Sequence, residues 1–388
     1  MTATVSPVNT SPASGRTEGR MDVLDGFRFF AILSVILFHF YSRWAPPTNN
    51  VNLYPYLGTH DYFSKGYLGV QFFFMISGFV ISYTLTRTNN FGNFWKKRII
   101  RLLPAMAICS LITLLVFSFF DTDNFFQNSH RLTNFFYSLT FLSPTLLDHL
   151  LRFIPLHGNY IQGSYWSLWP EIQFYFFASL VYYIRPKKFF TAFTLLALLL
   201  YCGNRFLINI QGSNFFDLPC SLHFINSHKF WMMGIFNLPY SILWFLMGGL
   251  FYQIYSKQQT VLTFFALLMA FYLQQHEFGD WKLKGLLLIM QLMFILFIWR
   301  PSLLRPVSRP IFTSVGVASY SLYLIHENIG VYLIHYYGNS FGLPSVLFPI
   351  ALLGIFIGFS LVLYRFVERP VAGYFKVLMD KRSTTKAQ

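Results

Sequence analysis

The chain has 388 residues, of which 55% are hydrophobic, 21% aromatic and only 11% charged, and its mean hydropathy is +0.47. An average soluble domain carries about 25% charged residues, so the composition excludes an ordinary soluble enzyme. The net charge of +15 would indicate a nucleic-acid partner in a soluble protein. The positions of the charges along the chain decide between a membrane protein and a nucleic-acid-binding one.

Apolar segments long enough to cross a bilayer recur along the whole chain. About 20 apolar residues span the hydrocarbon core, and ten segments come close to that length. They lie at 23–41, 67–86, 99–120, 165–184, 189–209, 238–256, 259–275, 283–299, 313–337 and 345–366. The segment 132–151 is also apolar, but Ser-Pro interrupts it, which favours an interfacial or re-entrant segment. We therefore predict an all-α fold, a polytopic membrane bundle of about ten transmembrane helices.

The basic residues follow the positive-inside rule on this topology. With a cytoplasmic N-terminus, 20 Lys and Arg fall on cytoplasmic segments, 8 on outer segments, and Arg28 lies within a span. The net charge is thus explained by topology, and no nucleic-acid partner is expected. The domain organisation predicted is a disordered cytoplasmic tail at 1–20, a transmembrane domain at 21–370 and a basic cytoplasmic tail at 371–388.

Arg28 and His39 are ionisable residues inside the first predicted span, where a polar side chain is costly and indicates function. Eleven residues apart on a helix, they share one face and are separated by a rise of about 16 Å. A guanidinium suits phosphate or carboxylate, and an imidazole suits proton transfer near neutral pH. The structural alternative is a local pair of Asp25 with Arg28, with His39 as an interfacial anchor.

Other polar groups stand at the ends of later spans. Arg98 and Arg101 share a helix face and form a two-pronged basic clamp, although plain positive-inside anchoring explains them too. Glu171 follows Pro170 in the first turn of the fourth predicted span and points into the bundle, as a structural ion pair or as an orienting or catalytic group. His326 and Glu327 form a buried dipeptide that packing alone does not explain, although hydrogen bonds to neighbouring helices could.

Cysteine and histidine spacing indicates neither a disulfide framework nor a metal site. Cys109 and Cys202 lie in apolar runs and are predicted to be buried, and Cys220 is too distant to complete a framework. His223 and His228 lack carboxylate or cysteine partners at ligand spacing. No metal is therefore predicted, and the nucleotide, zinc-protease and nucleophile-elbow motifs are absent from the sequence.

Five short motifs resemble those of the integral-membrane acyltransferase 3 family, in the same order and across nearly all of 21–370. They are the Arg28…His39 pair (Arg-x10-His), GVQFFFMISGFVIS at 69–82, RIIRLLPA at 98–105, YWSLWPEIQFYFF at 165–177 and SYSLYLIH at 319–326. Gln71 departs from the family, because many members carry Asp there, which puts an acid role at that position in doubt. The absence of a hydrolase-like domain after the last span implies the stand-alone form.

The resemblance implies a membrane O-acyltransferase. Such an enzyme moves an acyl group, most often acetyl, from cytosolic acyl-CoA to a hydroxyl of an extracytoplasmic glycan or glycoconjugate, for example lipopolysaccharide or another polysaccharide. Acyl-CoA would be a co-substrate and no cofactor would be bound permanently. The expected partners are acyl-CoA, a glycan or lipid-linked saccharide and membrane lipids, in the plasma (inner) membrane with both termini cytoplasmic. The oligomeric state is left open.

Under this resemblance, Arg28, Arg98 and Arg101 bind the anionic nucleotide end of acyl-CoA, and the pantetheine arm delivers the thioester near His39. The rise of about 16 Å between Arg28 and His39 is of the order of an extended pantetheine arm. His39 is then the general base or, in a variant mechanism, the carrier of a covalent acyl group.

The remaining predicted site residues assist this chemistry. Glu171 is predicted to orient or charge His39, and His326 to be a second catalytic residue. Trp166, Ser167 and Tyr320 are predicted to bind substrate. The competing interpretation is a proton-coupled secondary transporter or flippase of a glycan or anionic solute, which would use the same polar residues. Transporters usually contain repeat halves, and the sequence contains none that we detect.

Overall fold

The described part of the chain is helical throughout. The computed structural model describes residues 14–154, 157–212, 234–342 and 344–385, and these ranges contain no strand. The predicted all-α class is therefore confirmed. Six helical segments in the described residues are long and apolar enough to cross a bilayer, in keeping with a membrane protein, but the predicted count of about ten is not confirmed.

Sixteen α-helices are described. They are α1 (Ser14–Tyr41), α2 (His60–Phe63), α3 (Leu68–Leu85), α4 (Phe91–Phe120), α5 (Leu132–Thr140), α6 (Pro144–Leu150), α7 (Leu168–Ile184), α8 (Phe189–Gly212), α9 (Ile242–Tyr255), α10 (Val261–Glu277), α11 (Trp281–Trp299), α12 (Pro310–Val317), α13 (Ser319–Ile325), α14 (Glu327–Tyr337), α15 (Phe348–Leu363) and α16 (Arg369–Thr385). The six candidate spans are Asp22–Tyr41, His60–Leu85, Phe91–Phe120, Pro186–Ile208, Trp281–Trp299 and Phe348–Phe375.

Three of the other predicted spans are helices too short to cross a bilayer core without thinning it. α7 and α10 have 17 residues each and α9 has 14. At 1.5 Å per residue these helices are about 26 and 21 Å long, less than the roughly 30 Å of a bilayer core. The segment 132–151 forms α5 and α6, of nine and seven residues, and neither reaches across a bilayer.

The ninth predicted span, 313–337, is broken into α12, α13 and α14. The break between α13 and α14 leaves the Leu324 carbonyl and the Asn328 amide for a side-chain partner. Gln162 supplies it: its Nε2 donates to the Leu324 oxygen at 2.7 Å, and its Oε1 accepts from the Asn328 amide at 3.4 Å. Gln162 has no exposed surface. Irregular backbone at membrane depth is tolerated where protein groups satisfy it in this way.

The helix α3 lies against α9 at very short range. A Cβ atom on Gly78 would lie 2.1 Å from the Phe245 oxygen, and one on Gly248 would lie 1.9 Å from the Met75 oxygen. Only glycine allows the two backbones to approach this closely, as in other membrane helix pairs. The contact fixes α3, which forms a wall of the candidate site.

The predicted tails are partly helical. α1 begins at Ser14, inside the tail predicted at 1–20, and α16 extends to Thr385 through most of the tail predicted at 371–388. Adding residues to an existing helix costs much less than starting one, so both membrane helices continue beyond their apolar segments.

The cysteine predictions have different outcomes. Cys109 is buried as predicted, whereas Cys202 is exposed, because most of α8 is not covered by the rest of the described chain. Cys220, His223 and His228 lie outside the described residues.

Candidate active site

Arg28, Arg98 and Arg101, the three residues predicted to bind the nucleotide end of acyl-CoA, come together around a cavity with an empty volume of about 730 Å³. We call it the arginine cavity. Its lining comprises Arg28, Val70, Phe73, Phe74, Ile76, Ser77, Val80, Ile81, Arg98, Arg101, Leu102, Ser167, Leu168, Glu171, Tyr175, Ser319, Tyr320 and Tyr323. Arg28 comes from α1, and Arg98 and Arg101 come from α4.

The arginines of this cavity are only partly neutralised. Arg28 pairs with Asp25 three residues earlier, as the structural alternative suggested. Arg98 is 8% exposed; its Nη2 lies 3.3 Å from the Thr84 hydroxyl, and its Nε has no hydrogen-bond partner in the described residues. Neither Arg98 nor Arg101 forms an ion pair with a described residue. The cavity therefore offers positive charge and free donors, which suit an anionic ligand.

Glu171 lies in the arginine cavity and not at His39, which differs from the predicted pairing. Its Oε1 accepts hydrogen bonds from Ser77 and from Tyr175, both at 2.6 Å, and no hydrogen bond or ion pair in the described residues joins it to His39. The reason is its depth along the bundle. Ser77 is six residues, or about 9 Å, farther along α3 than Gln71, which lines the cavity around His39.

A second cavity, with an empty volume of about 720 Å³, surrounds His39, and we call it the histidine cavity. Its lining comprises Val35, Phe38, His39, Arg43, Trp44, Tyr67, Val70, Gln71, Gly163, Trp166, Tyr323 and Glu327. His39 Nδ1 lies 3.1 Å from Glu327 Oε1, within ion-pair distance but off the axis of a well-formed hydrogen bond. An Nδ1–H group facing the carboxylate leaves Nε2 as the basic nitrogen.

His326 stands beside this pair. It is fully buried, its ring centre is 5.0 Å from that of His39, and its Nδ1 is 2.8 Å from the Tyr323 carbonyl oxygen. A carbonyl oxygen only accepts, so Nδ1 carries the hydrogen. The Nε2 of the neutral ring is then an acceptor, and it has no partner in the described residues. The structure thus brings together the two predicted histidines.

The backbone holds both members of the His39–Glu327 pair firmly. Glu327 is the first residue of α14, where the helix dipole favours a carboxylate. His39 lies in the last turn of α1, whose free carbonyl groups accept hydroxyl hydrogens from a following loop: Tyr54 donates to the His39 oxygen at 2.6 Å, and Tyr56 to the Phe40 oxygen. Nothing in the sequence distinguishes Tyr54, Tyr56 or Gln162 from the many other polar and aromatic residues, so our sequence analysis missed them.

The three predicted substrate-binding residues fall in different places. Trp166 lines the histidine cavity, whereas Ser167 and Tyr320 line the arginine cavity. The Ser167 hydroxyl is 2.7 Å from that of Tyr323, and the Tyr320 hydroxyl is buried without a partner among the described residues.

The cavities adjoin each other through shared walls. Val70 and Tyr323 line both the arginine and the histidine cavity. Trp44 and Gly163 line both the histidine cavity and a third one, with an empty volume of about 850 Å³, which we call the outer cavity. The three cavities therefore form a row, and the His39–Glu327 pair lies in the middle one.

Unpartnered polar atoms are concentrated along these cavities. Buried polar groups nearly always have hydrogen-bond partners, so exceptions call for an explanation. In the described residues, those lining the cavities are His39 Nδ1, Arg98 Nε, Tyr320 Oη, Gln71 Oε1, Glu327 Oε2 and Trp44 Nε1. Their common position indicates groups that a polar ligand or water would satisfy.

These features define a helical membrane protein with a buried histidine–carboxylate pair next to an arginine-lined cavity. The family model described as an acyltransferase domain, that of the acyltransferase 3 family, matches residues 21–365. The chain therefore belongs to this family, whose enzymes transfer acyl groups other than aminoacyl groups, and the resemblance seen in the sequence is confirmed.

Two relatives that the chain resembles come from Staphylococcus aureus. A protein of strain MSSA476 provisionally named an O-acetyltransferase is 24% identical over 381 residues, covering 90% of this chain and 57% of its own length. The O-acetyltransferase OatA of strain NCTC 8325 is 25% identical over 376 residues, covering 90% of this chain and 56% of its own. The chain thus spans somewhat over half the length of these relatives. No solved structure matches it.

Proposed function

We propose that the chain is a membrane O-acyltransferase that moves an acyl group, most often acetyl, from cytosolic acyl-CoA to a hydroxyl of an extracytoplasmic glycan or glycoconjugate. The observation that carries the proposal is the distance of 3.1 Å between His39 Nδ1 and Glu327 Oε1. This pair lies in a cavity whose walls, Val70 and Tyr323, are shared with the arginine cavity. An anion-binding end and a general base therefore adjoin each other.

The donor would enter at the arginines. Arg98 and Arg101 have no carboxylate partners among the described residues and suit the phosphates of the nucleotide end of acyl-CoA. Arg28 would contact the part of the acyl-CoA molecule that follows the nucleotide. α1 is one continuous helix from Ser14 to Tyr41, so the rise from Arg28 to His39 is about 16 Å. That distance suits the pantetheine arm, which would pass between Val70 and Tyr323.

The transfer itself would be general-base catalysis at His39. His39 Nε2 takes the proton of the acceptor hydroxyl as its oxygen attacks the thioester carbonyl carbon. The carbon–sulfur bond then breaks, and the CoA thiolate takes the proton from the imidazolium, which leaves CoA and the acyl ester. Glu327 stabilises the imidazolium, the role predicted for Glu171. The acyl-histidine variant uses the same nitrogen as the nucleophile.

The other predicted residues would assist from their observed positions. His326 would stabilise or relay charge beside His39, and Glu171 would hold the arginines through its contacts on the same cavity. Trp166 would contact substrate in the histidine cavity, and Ser167 and Tyr320 would contact the donor. The arginine cavity would open to the cytoplasm, with the enzyme in the plasma (inner) membrane and both termini cytoplasmic.

Acyl transfer by the purified chain in lipid nanodiscs tests the proposal. With acetyl-CoA and glycan from cells lacking the protein, we expect CoA release and glycan carrying the mass increment of an acetyl group. His39→Ala should abolish transfer while acetyl-CoA still binds. His157→Ala, an outer-loop histidine with an 87% exposed side chain, is the matched control. Full transfer by purified His39→Ala protein would overturn the assignment.

A proton-coupled transporter or flippase is the second candidate, because three adjoining cavities also suit a transport path. The same purified chain, reconstituted into sealed vesicles of the nanodisc lipid, distinguishes the two functions. A transporter would move solute across the vesicle membrane without consuming acetyl-CoA, whereas the proposed enzyme releases one CoA for each acyl group transferred.

A further inference from the structure

The outer cavity is lined only by uncharged side chains, although the chain as a whole carries a net charge of +15. The lining comprises four aromatic rings, four amides and one glycine. They are Trp44, Phe125, Phe126 and Tyr160, then Gln127, Asn128, Asn159 and Asn328, with Gly163. Aromatic faces bind the C–H faces of a ring, and amides both donate and accept hydrogen bonds. The lining therefore favours a neutral ligand with apolar faces and hydroxyl groups at its edges.

Several polar groups of this cavity are free to bind such a ligand. Trp44 Nε1 is buried and has no hydrogen-bond partner in the described residues. The side-chain amides of Gln127 and Asn128 form no hydrogen bond with any described residue, and both residues are exposed on the cavity side of their loop. A buried indole N–H without a partner is an exception that a ligand oxygen would remove.

The walls of the outer cavity are held in place before any ligand binds. Asp121, 4% exposed, accepts hydrogen bonds from the amides of Phe125 at 2.9 Å and Phe126 at 3.1 Å. Asn134 accepts from the Asn159 amide at 2.7 Å and donates to the Asn128 carbonyl at 2.7 Å. Such a pre-formed cavity is typical of small-molecule sites.

The outer cavity leads directly to the catalytic pair. Trp44 and Gly163 form part of both its lining and that of the histidine cavity. A Cβ atom on Gly163 would lie 2.9 Å from Glu327 Oε2, so the glycine leaves the carboxylate accessible from this side. A ligand bound against Trp44 would present a hydroxyl toward His39.

We infer that the outer cavity is the acceptor subsite and that it takes an uncharged sugar ring. This inference rests on the proposed function, because the ring is the one whose hydroxyl would receive the acyl group. The aromatic rings cover a C–H face of the sugar, and Trp44 Nε1 and the free amides bind its hydroxyl groups. The lining itself holds no cation. Arg43, whose guanidinium lies 5.1 Å from the centre of the Trp44 ring, lines the histidine cavity instead, and the Asp121 carboxylate stands behind the wall formed by Phe125 and Phe126.

Saturation-transfer NMR with the full chain in detergent micelles tests the subsite. The neutral probes are the methyl glycosides of glucose, galactose, mannose, rhamnose and N-acetylglucosamine, and the anionic probe is methyl glucuronide. We expect at least one neutral glycoside to receive saturation on its C–H protons and the glucuronide to receive several-fold less. Trp44→Phe, Phe126→Leu and Asn128→Ala should each reduce the signal at least fivefold. Tyr62→Leu, which removes an 84% exposed ring outside the cavity, should not.

The outcomes separate this inference from the proposed function. Equal signals in wild type and in the three cavity variants, no signal from any neutral glycoside, or a stronger signal from the glucuronide would overturn the subsite. Acetyl-CoA cleavage by the wild-type chain is measured in the same preparation. Its absence would overturn the proposed function, whereas its presence without a cavity-dependent sugar signal would overturn the subsite alone.

Discussion

The carboxylate that contacts His39 is Glu327, with 3.1 Å between Nδ1 and Oε1, although the two residues are 288 positions apart in the chain. Their meeting depends on the break between α13 and α14, which puts Glu327 at a helix start beside the end of α1. The two carboxylates of the site therefore have separate surroundings. Glu327 faces His39, and Glu171 faces the arginine cavity.

Glu327→Gln should reduce kcat by about 10²–10⁴-fold, because a neutral amide does not stabilise the imidazolium that forms during proton transfer. The affinity for acetyl-CoA should change little. Glu171→Gln should show the opposite pattern, with acetyl-CoA affinity altered more than kcat. Steady-state kinetics together with a binding isotherm for each variant checks both. A kcat for Glu327→Gln within threefold of wild type would contradict the assignment.

Arg98→Ala and Arg101→Ala should each weaken CoA binding about 10- to 100-fold, as expected for one charge-assisted hydrogen bond worth roughly 1.5–3 kcal/mol. The loss should shrink at high salt, since exposed charges such as Arg101 are screened. Calorimetric titration of CoA at two salt concentrations measures this. Arg185→Ala, an exposed arginine that does not line the arginine cavity, is the control and should bind CoA as wild type does.

The alignment of Arg28 with His39 and of Arg98 with Arg101 could be predicted because helical spacing determines which side chains share a face, whereas His326 was singled out only as part of a buried histidine–glutamate dipeptide. Arg28 and His39 lie on one uninterrupted helix, and Arg98 and Arg101 are one turn apart on α4. The resemblance to the family added the order of the motifs. For these residues, local geometry carries most of the information.

The partner of His39 and the number of spans could not be predicted in the same way. A run of apolar residues does not reveal that 313–337 is broken, because the break is stabilised by Gln162, which is far away in sequence. Without knowledge of the break, nothing in the sequence places Glu327 next to His39. Glu171, in the first turn of a predicted span, was therefore the carboxylate that the sequence analysis assigned to His39. Long-range contacts decided both points.

Val70→Ala should make the enzyme accept longer acyl groups, because Val70 lines both the arginine and the histidine cavity at the point where the thioester would pass. Room for two further methylene groups, at roughly 0.8 kcal/mol each, would raise the kcat/KM ratio of butyryl-CoA to acetyl-CoA about tenfold. Val80→Ala removes the same atoms from the arginine cavity alone. An equal change of the ratio in both variants would contradict a constriction at Val70.

Gln162→Leu should abolish transfer, because the Asn328 amide loses its side-chain partner, the Leu324 carbonyl keeps only the Tyr165 hydroxyl at 3.0 Å, and Glu327 loses its position. Each unpaired buried group costs about 1–3 kcal/mol, so thermal stability should fall as well. Gln173→Leu separates the two effects: Gln173 is also buried and also bonds at both ends, to the Ile235 oxygen at 2.7 Å and the Leu238 amide at 2.9 Å. It should lose similar stability and keep most of the activity below its Tm. Comparable activity losses in the two variants would mean that the break has no special role.

The stability of the outer loop should depend on pH through Asp121. Burial alone would raise the pKa of this carboxyl, but the amides of Phe125 and Phe126 and the ring of His130, at 2.7 Å, outweigh it and hold the pKa below its usual value. A lowered pKa in the folded state stabilises the fold above the unfolded value of about 3.9, and this contribution is lost as the pH falls through the folded pKa. At pH 7, Asp121→Asn should therefore unfold more easily than wild type, by about 1–3 kcal/mol. Thermal unfolding from pH 7 to pH 3 measures the difference, which should stay constant down to about pH 4 and then decrease as the pH falls toward the folded pKa. Asp123→Asn, an exposed neighbour, should differ little from wild type throughout, and a difference for Asp121→Asn that stays constant down to pH 3 would show that the ionised carboxylate is not what holds the loop.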